Sequence, residues 1–185
     1  MLMKKVFFAV ILACLFSGVF AQPWSPVDKS PMDMAFYPNN FVHDRKAGDK
    51  AAIRVVYSRP AKNGREVFGK LVPYGEIWRT GANEATEIKL YQDIELAGKK
   101  VKAGSYSLFT IPGEKEWTII LSRDVDYWGA YSYKAASDVL RVTASVTALS
   151  DVVENFTIQF ENKGPNQGNM KLAWDKTMVA VPFKL

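Results

Sequence analysis

The chain is expected to fold as an all-β protein, an antiparallel β-sandwich, because three patterns coincide. Apolar residues alternate with polar ones at a period of two, turn residues interrupt that alternation at short intervals, and helical periodicity is scarce. The alternation begins at Ala51. Ile53 and Val55 alternate with Arg54 and Val56, Ile88 and Leu90 with Glu87 and Lys89, and Trp117, Ile119 and Leu121 with Thr118, Ile120 and Ser122. It returns in Phe156, Ile158 and Phe160, in Met170, Leu172 and Trp174, and in Val179, Val181 and Phe183. Turn chemistry separates the runs at Ala97-Gly98-Lys99, Ala103-Gly104, Pro112-Gly113, Gly164-Pro165-Asn166 and Asp175-Lys176-Thr177.

Strands this short, joined this closely, pair antiparallel. The polar partners Lys89, Thr157, Gln159 and Lys171 leave one face of each strand wet, so two layers close on each other by their apolar faces. A jelly-roll arrangement of the sandwich stays open. One or two helical turns are expected within residues 131–139 and another within 145–151.

Residues 1–21 join Lys4-Lys5 to an apolar stretch ending Val19-Phe20-Ala21, the pattern of a secretory signal peptide. Export to the periplasm or beyond is therefore expected. A lipoprotein cut before Cys14 is the secondary reading, because apolar sequence runs on past that residue. Residues 22–50, rich in Pro, Asp, Lys and Asn, hold no sustained period and are expected to be an irregular lead-in packed on the domain. The sandwich itself is assigned to residues 51–185.

Cys14 is the only cysteine, so the exported part has neither disulfide nor thiol chemistry. Cleavage after Ala21 leaves 185 − 21 = 164 residues with 22 basic and 19 acidic side chains, a formal charge of +3. A domain of this size buries roughly 70% of the surface of its extended chain, enough to stand without a metal or cross-link. Export and the lack of any Lys/Arg run argue against a nucleic-acid partner, and no later segment is apolar for long enough to span a membrane as a helix. The pattern leaves the oligomeric state open.

Several stretches then fall into a familiar order: Tyr57-Ser58-Arg59-Pro60, residues 64–86 (GREVFGKLVPYGEIWRTGANEAT), 104–113 (GSYSLFTIPG), 116–122 (EWTIILS), 128–133 (WGAYSY), 138–142 (DVLRV) and 172–177 (LAWDKT). The series resembles the bacterial exported proteins grouped as domain of unknown function 2911, over nearly all of the chain from about Trp24 onward. That resemblance implies an exported, β-rich domain and brings no reaction, cofactor or ligand with it. Ser122 departs from the family pattern, which more often has Asn there.

The densest polar cluster is EIWRTGANEAT, residues 76–86. As structure, Gly81 and Asn83 accept positive φ at low cost and Arg79 pairs with Glu84 across a tight connection. This reading comes first. As a site, Arg79 offers a fork of donors to a carboxylate, phosphate or sugar hydroxyl, with Thr80, Asn83 and Glu84 beside it. Arg59, Lys62 and Arg65, in the loop bracketed by Arg59-Pro60 and Gly64-Arg65, would make an anion-binding mouth if they converge with Arg79; otherwise they form a solvated basic loop or clamp backbone carbonyls. Trp128 and Tyr131, in a Gly-rich aromatic run, are core plugs or stacking planes for a sugar.

What is missing narrows the chemistry. His43 is the only histidine, so a three-histidine zinc site is excluded within one chain, and Asp124 with Asp126 falls short of a calcium site. No phosphate loop, dinucleotide fingerprint or nucleophile elbow is present, and no cofactor is expected. Three function classes remain: a noncatalytic binder of a small polar or carbohydrate ligand, a glycan-acting hydrolase, or a structural protein of the envelope. The hydrolase would use Glu84 as acid or base with Glu76, Glu87 or Asp138 as its second carboxylate.

Overall fold

Nine strands, each paired antiparallel with its neighbours, form one continuous sheet in the computed structural model, which describes residues 24–39 and 41–185. In chain order they are β1 (Met32–Tyr37), β2 (Ile53–Ser58), β3 (Thr86–Leu90), β4 (Ile94–Leu96), β5 (Lys99–Val101), β6 (Gly104–Ile111), β7 (Glu116–Ser122), β8 (Asp138–Gly164) and β9 (Gln167–Lys184). Their spatial order is β1-β2-β3-β6-β7-β8-β9-β4-β5. It is a meander with one hairpin displaced: β4 and β5 leave the chain between β3 and β6 and attach to β9, so the arrangement is not a jelly roll.

The all-β expectation holds, and the closure comes from β8. Its first residues, Asp138–Ser145, pair with β7, and from Val146 onward it pairs with β9, with breaks in register between Ala148 and Val153 and again before Thr157. Strands bend where a ladder is interrupted. The two halves thereby share one core: Tyr57 of β2 meets Phe156 of β8 edge to face at 5.8 Å, and Tyr37 of β1 meets Phe183 of β9 at 4.7 Å. At the centre Trp78 lies parallel to Trp174 at 6.0 Å, while Phe68 and Trp117 close around them.

Burial follows the alternation where one face is wet. In β3, Thr86, Ile88 and Leu90 are buried and Glu87 and Lys89 are not. The alternation fails at β6 and β7. Phe109 and Ile120 face each other across the ladder, on the side expected to be solvated, and both are fully buried. Residues 123–137 lie over them: Tyr127 and Tyr133 pack edge to face on Phe109 at 5.7 and 5.1 Å.

Three expectations are corrected. Residues 32–37, within a stretch that has no readable period, form an edge strand on β2. Residues 145–151 are strand, not helix, as part of β8. Within residues 131–139 the helix shrinks to one 3-10 turn, Ala135–Ser137, and a four-residue helix α1, Phe41–Asp44, appears in the lead-in instead. The signal-peptide reading and Cys14 lie outside the described residues.

Beyond the single bridge between Ala61 and Asn155, the β8 edge facing β2 has no strand beside it among the described residues, yet its carbonyls at Phe156, Ile158 and Phe160 are bonded. Arg59 Nε donates to the Phe156 carbonyl at 3.2 Å, the Tyr57 hydroxyl to Ile158 at 3.2 Å, and Asn39 Nδ2 to Phe160 at 2.7 Å. Side chains replace a missing strand, satisfying groups that would be costly to leave bare.

Candidate functional site

The polar turn is built from β6 outward. Trp78 exchanges both backbone hydrogen bonds with Thr110, at 2.7 and 3.0 Å, which pins the chain to the end of that strand. Thr80 then reverses it with φ 57°, a conformation that β-branched residues rarely adopt. Its hydroxyl lies 3.1 Å from Thr110 Oγ1 and 3.3 Å from the Trp78 carbonyl, while its own carbonyl accepts from Thr86 Oγ1 at 2.7 Å. Thr80 is fully buried and belongs to the scaffold of the turn.

The positive φ expected at Gly81 falls on Thr80 instead; Gly81 follows without a side chain because a Cβ there would stand 3.1 Å from the Ser58 carbonyl. Its carbonyl accepts from the Trp78 indole at 3.0 Å. Asn83 is the second left-handed residue, φ 58°, and its carbonyl accepts from the Gly129 N–H at 2.9 Å. Ala85 donates to Tyr127 at 2.9 Å. The turn is thus stitched to residues 127–129 before β3 begins.

This geometry separates residues that are close in sequence. Arg79 and Asn83 line a cavity of about 430 Å³ together with Arg65, Glu76, Trp78 and Trp174. Glu84 and Trp128 line another, of about 380 Å³, with Arg54, Glu87, Asp126 and Tyr127. Among the described residues Arg79 forms no ion pair with Glu84, so the expected pairing across the turn is absent. Tyr131 is 86% exposed and lines neither cavity; its ring packs against Gly129.

The basic loop divides in the same way. All three guanidinium nitrogens of Arg59 donate: Nε to Phe156, Nη1 to Asp33 Oδ2 at 2.9 Å and Nη2 to Thr157 Oγ1 at 2.8 Å. Lys62 is paired with Asp175 at 2.8 Å. Arg65 donates Nε to the Lys62 carbonyl at 2.9 Å and Nη2 to that of Ala61, and the residue lines the Arg79 cavity. Arg59 is a carbonyl clamp. Arg65 alone of this loop's cations joins Arg79.

Arg79 is half-buried, its Nε is fully shielded, and no hydrogen-bond acceptor reaches it among the described residues. The N–H groups of Gly81, Ala82 and Asn83 likewise find no protein acceptor there, although Gly81 and Ala82 are buried. Backbone donors in that condition are rare in folded proteins. Sequence alone could point to Arg79 by its neighbours; only the structure shows that its donors, and the peptide donors after it, are left over.

Around the second cavity the charges are partly engaged. Arg54 Nη2 lies 3.3 Å from Glu87 Oε1, while Arg54 Nε is shielded and unbonded. Asp124 accepts from Tyr127 and Ser137, both at 2.9 Å; these bonds hold its carboxyl below the usual range. Burial, reinforced by the bond to Asp124, raises the Tyr127 hydroxyl. Asp138 accepts from Tyr133 at 2.6 Å and Arg141 at 2.7 Å, which commits it to fixing the 123–137 segment rather than to partnering Glu84. Of the carboxylates expected as partners of Glu84, Glu87 shares its cavity, and Asp126 lines it too.

Among the described residues no group of three or more His, Cys, Asp or Glu could hold a metal, and no helix is long and apolar enough to cross a membrane. His43 is exposed on α1, with Nδ1 2.8 Å from its neighbour Asp44. Neither a curated protein nor a solved structure matches the chain. Residues 38–183 match the model of the family described as protein of unknown function, DUF2911, and the chain belongs to that family.

Proposed function

We propose that this is an exported, noncatalytic binding protein that holds a small anionic ligand in the cavity beside the 79–87 loop. The observation that carries this reading is Arg79: a guanidinium with a shielded, unbonded nitrogen, lining a cavity together with a second cation and with residues 81–83, whose peptide N–H groups find no protein acceptor among the described residues. A carboxylate or phosphate oxygen supplies the acceptors those donors lack, and hydrogen bonds to a charged partner are the stronger kind. Export rests on the composition of residues 1–21. To test binding, the processed chain is titrated calorimetrically with a panel of small carboxylates and phosphates, alongside Arg79→Ala and Asn83→Ala. Binding is expected to vanish in Arg79→Ala with the melting temperature nearly unchanged; a large fall in melting temperature instead would make Arg79 part of the turn and nothing more.

The hydrolase reading has one favourable observation, that Glu84 and Glu87 share a cavity with the exposed Trp128. Incubation with envelope polysaccharides would then release reducing ends, and Glu84→Gln would abolish them. Their absence in the parent protein removes this reading.

A further inference from the structure

We infer that the anion held by Arg79 is a carboxylate carried on an apolar body, aromatic or branched aliphatic, rather than a phosphate or a sugar. This rests on the reading of the Arg79 cavity as an anion site. Charge sets the first limit. The cavity is lined by two cations, Arg65 and Arg79, and one carboxylate, Glu76, a net charge of +1. Two nitrogens of Arg65 are already bonded to backbone carbonyls, so Arg79 offers the one open guanidinium fork, with the neutral N–H groups of residues 81–83 adding donors but no charge. One fork matches one carboxylate in bidentate geometry, whereas a dianion would retain uncompensated charge.

The walls set the second limit. Leu71, Val72, Pro73 and Ile77 line the cavity with the rims of Trp78 and Trp174. The indole faces are not open to a sugar: Trp78 is 8% exposed and Trp174 1%, each packed against the other and against Phe68 and Phe156. Stacking on a sugar ring needs a bare face. These residues give the cavity apolar contact, alongside the polar lining of Ser30, Glu76, Arg79 and Asn83, a combination usual for a small-molecule pocket. At the volume water occupies in the liquid, about 430 Å³ corresponds to roughly a dozen molecules, so a headgroup alone leaves most of the space unfilled.

The experiment is a titration of the processed chain, by calorimetry and tryptophan fluorescence, with acetate, phenylacetate, 3-methylbutanoate, inorganic phosphate and glucose. Phenylacetate is expected to bind on the order of tenfold or more tighter than acetate, because it buries apolar surface that acetate lacks. Leu71 is 41% exposed and so replaceable without harm to the core; Leu71→Ser is expected to weaken phenylacetate several-fold and leave acetate unchanged. Binding that is lost in Arg79→Ala but favours phosphate over phenylacetate overturns the ligand class and keeps the anion site. Phenylacetate binding that survives in both Arg79→Ala and Arg79→Lys overturns the anion site itself, and so does a parent protein that binds none of the five.

Discussion

Arg59 and Arg79 are both half-buried and both lie between β2 and β3, but their guanidinium groups meet opposite surroundings. Arg59 joins the lead-in to β8, with Asp33 on one nitrogen and the Phe156 carbonyl and Thr157 hydroxyl on the others. Arg79 lines a cavity in which no acceptor among the described residues reaches its Nε. Residue type, loop position and exposure do not separate the two. Hydrogen-bond satisfaction does: Arg59 is spent on the fold, whereas Arg79 is left free for the ligand proposed above.

The largest effect expected from this contrast is on Arg59. Arg59→Ala removes the donor that covers the Phe156 carbonyl and strands Asp33 and Thr157, so a loss of about 2 kcal/mol is expected. The Asp33 pair itself is a third exposed and adds little to that figure. Chemical denaturation checks it; a variant as stable as the parent would mean that the β8 edge does not need its clamp. Tyr57→Phe is next. It deletes the hydroxyl bonded to the Ile158 carbonyl and keeps the ring against Phe156, for an expected loss of about 1 kcal/mol. Arg79→Ala should be smaller still, within about 0.5 kcal/mol of the parent in the same assay, because no bond within the fold is lost. If Arg79→Ala destabilises as much as Arg59→Ala, the distinction between the two arginines fails.

The alternation in 53–56, 86–90 and 156–160 was readable because one face of each strand is solvated, which writes the period into the residues. Phe109 and Ile120 were not readable in that way, since residues 123–137 cover the outer face of β6 and β7 and make both faces apolar. Nor was β1: it is an edge strand with Met32 and Met34 outward, so no polar partner marks its period. Residues 145–151 carry Ala, Leu and Ser on the mostly exposed part of β8, where pairing with β9 outweighs a weak helical preference. At the candidate site, the turn and Arg79 were legible. The separation of Arg79 from Glu84 was not, because it depends on two left-handed residues, and Thr80 gives no hint of being one of them.

The smallest expected effect lies at the surface, where bonded and free charge can be compared through pH. Glu161 accepts from Lys163 and Lys171, both at 3.0 Å, and from Asn169 at 3.1 Å. Those bonds, Lys163 first, lower its carboxyl from 4.5 to about 2. A carboxylate whose folded value lies below its unfolded one stabilises the fold fully above the unfolded value, and loses that contribution as pH falls through the folded one. The window is therefore from about pH 4.5 down to about 2. Glu161→Gln should lower the melting temperature slightly at neutral pH and remove part of the parent's decline below pH 4.5, with the difference shrinking in high salt because the pairs are exposed. Parallel melting curves for the two proteins from neutral pH to pH 2.5 would show instead that the three donors hold Glu161 no better than water does, and that crowding by cations is a poor sign of a bonded charge on this surface.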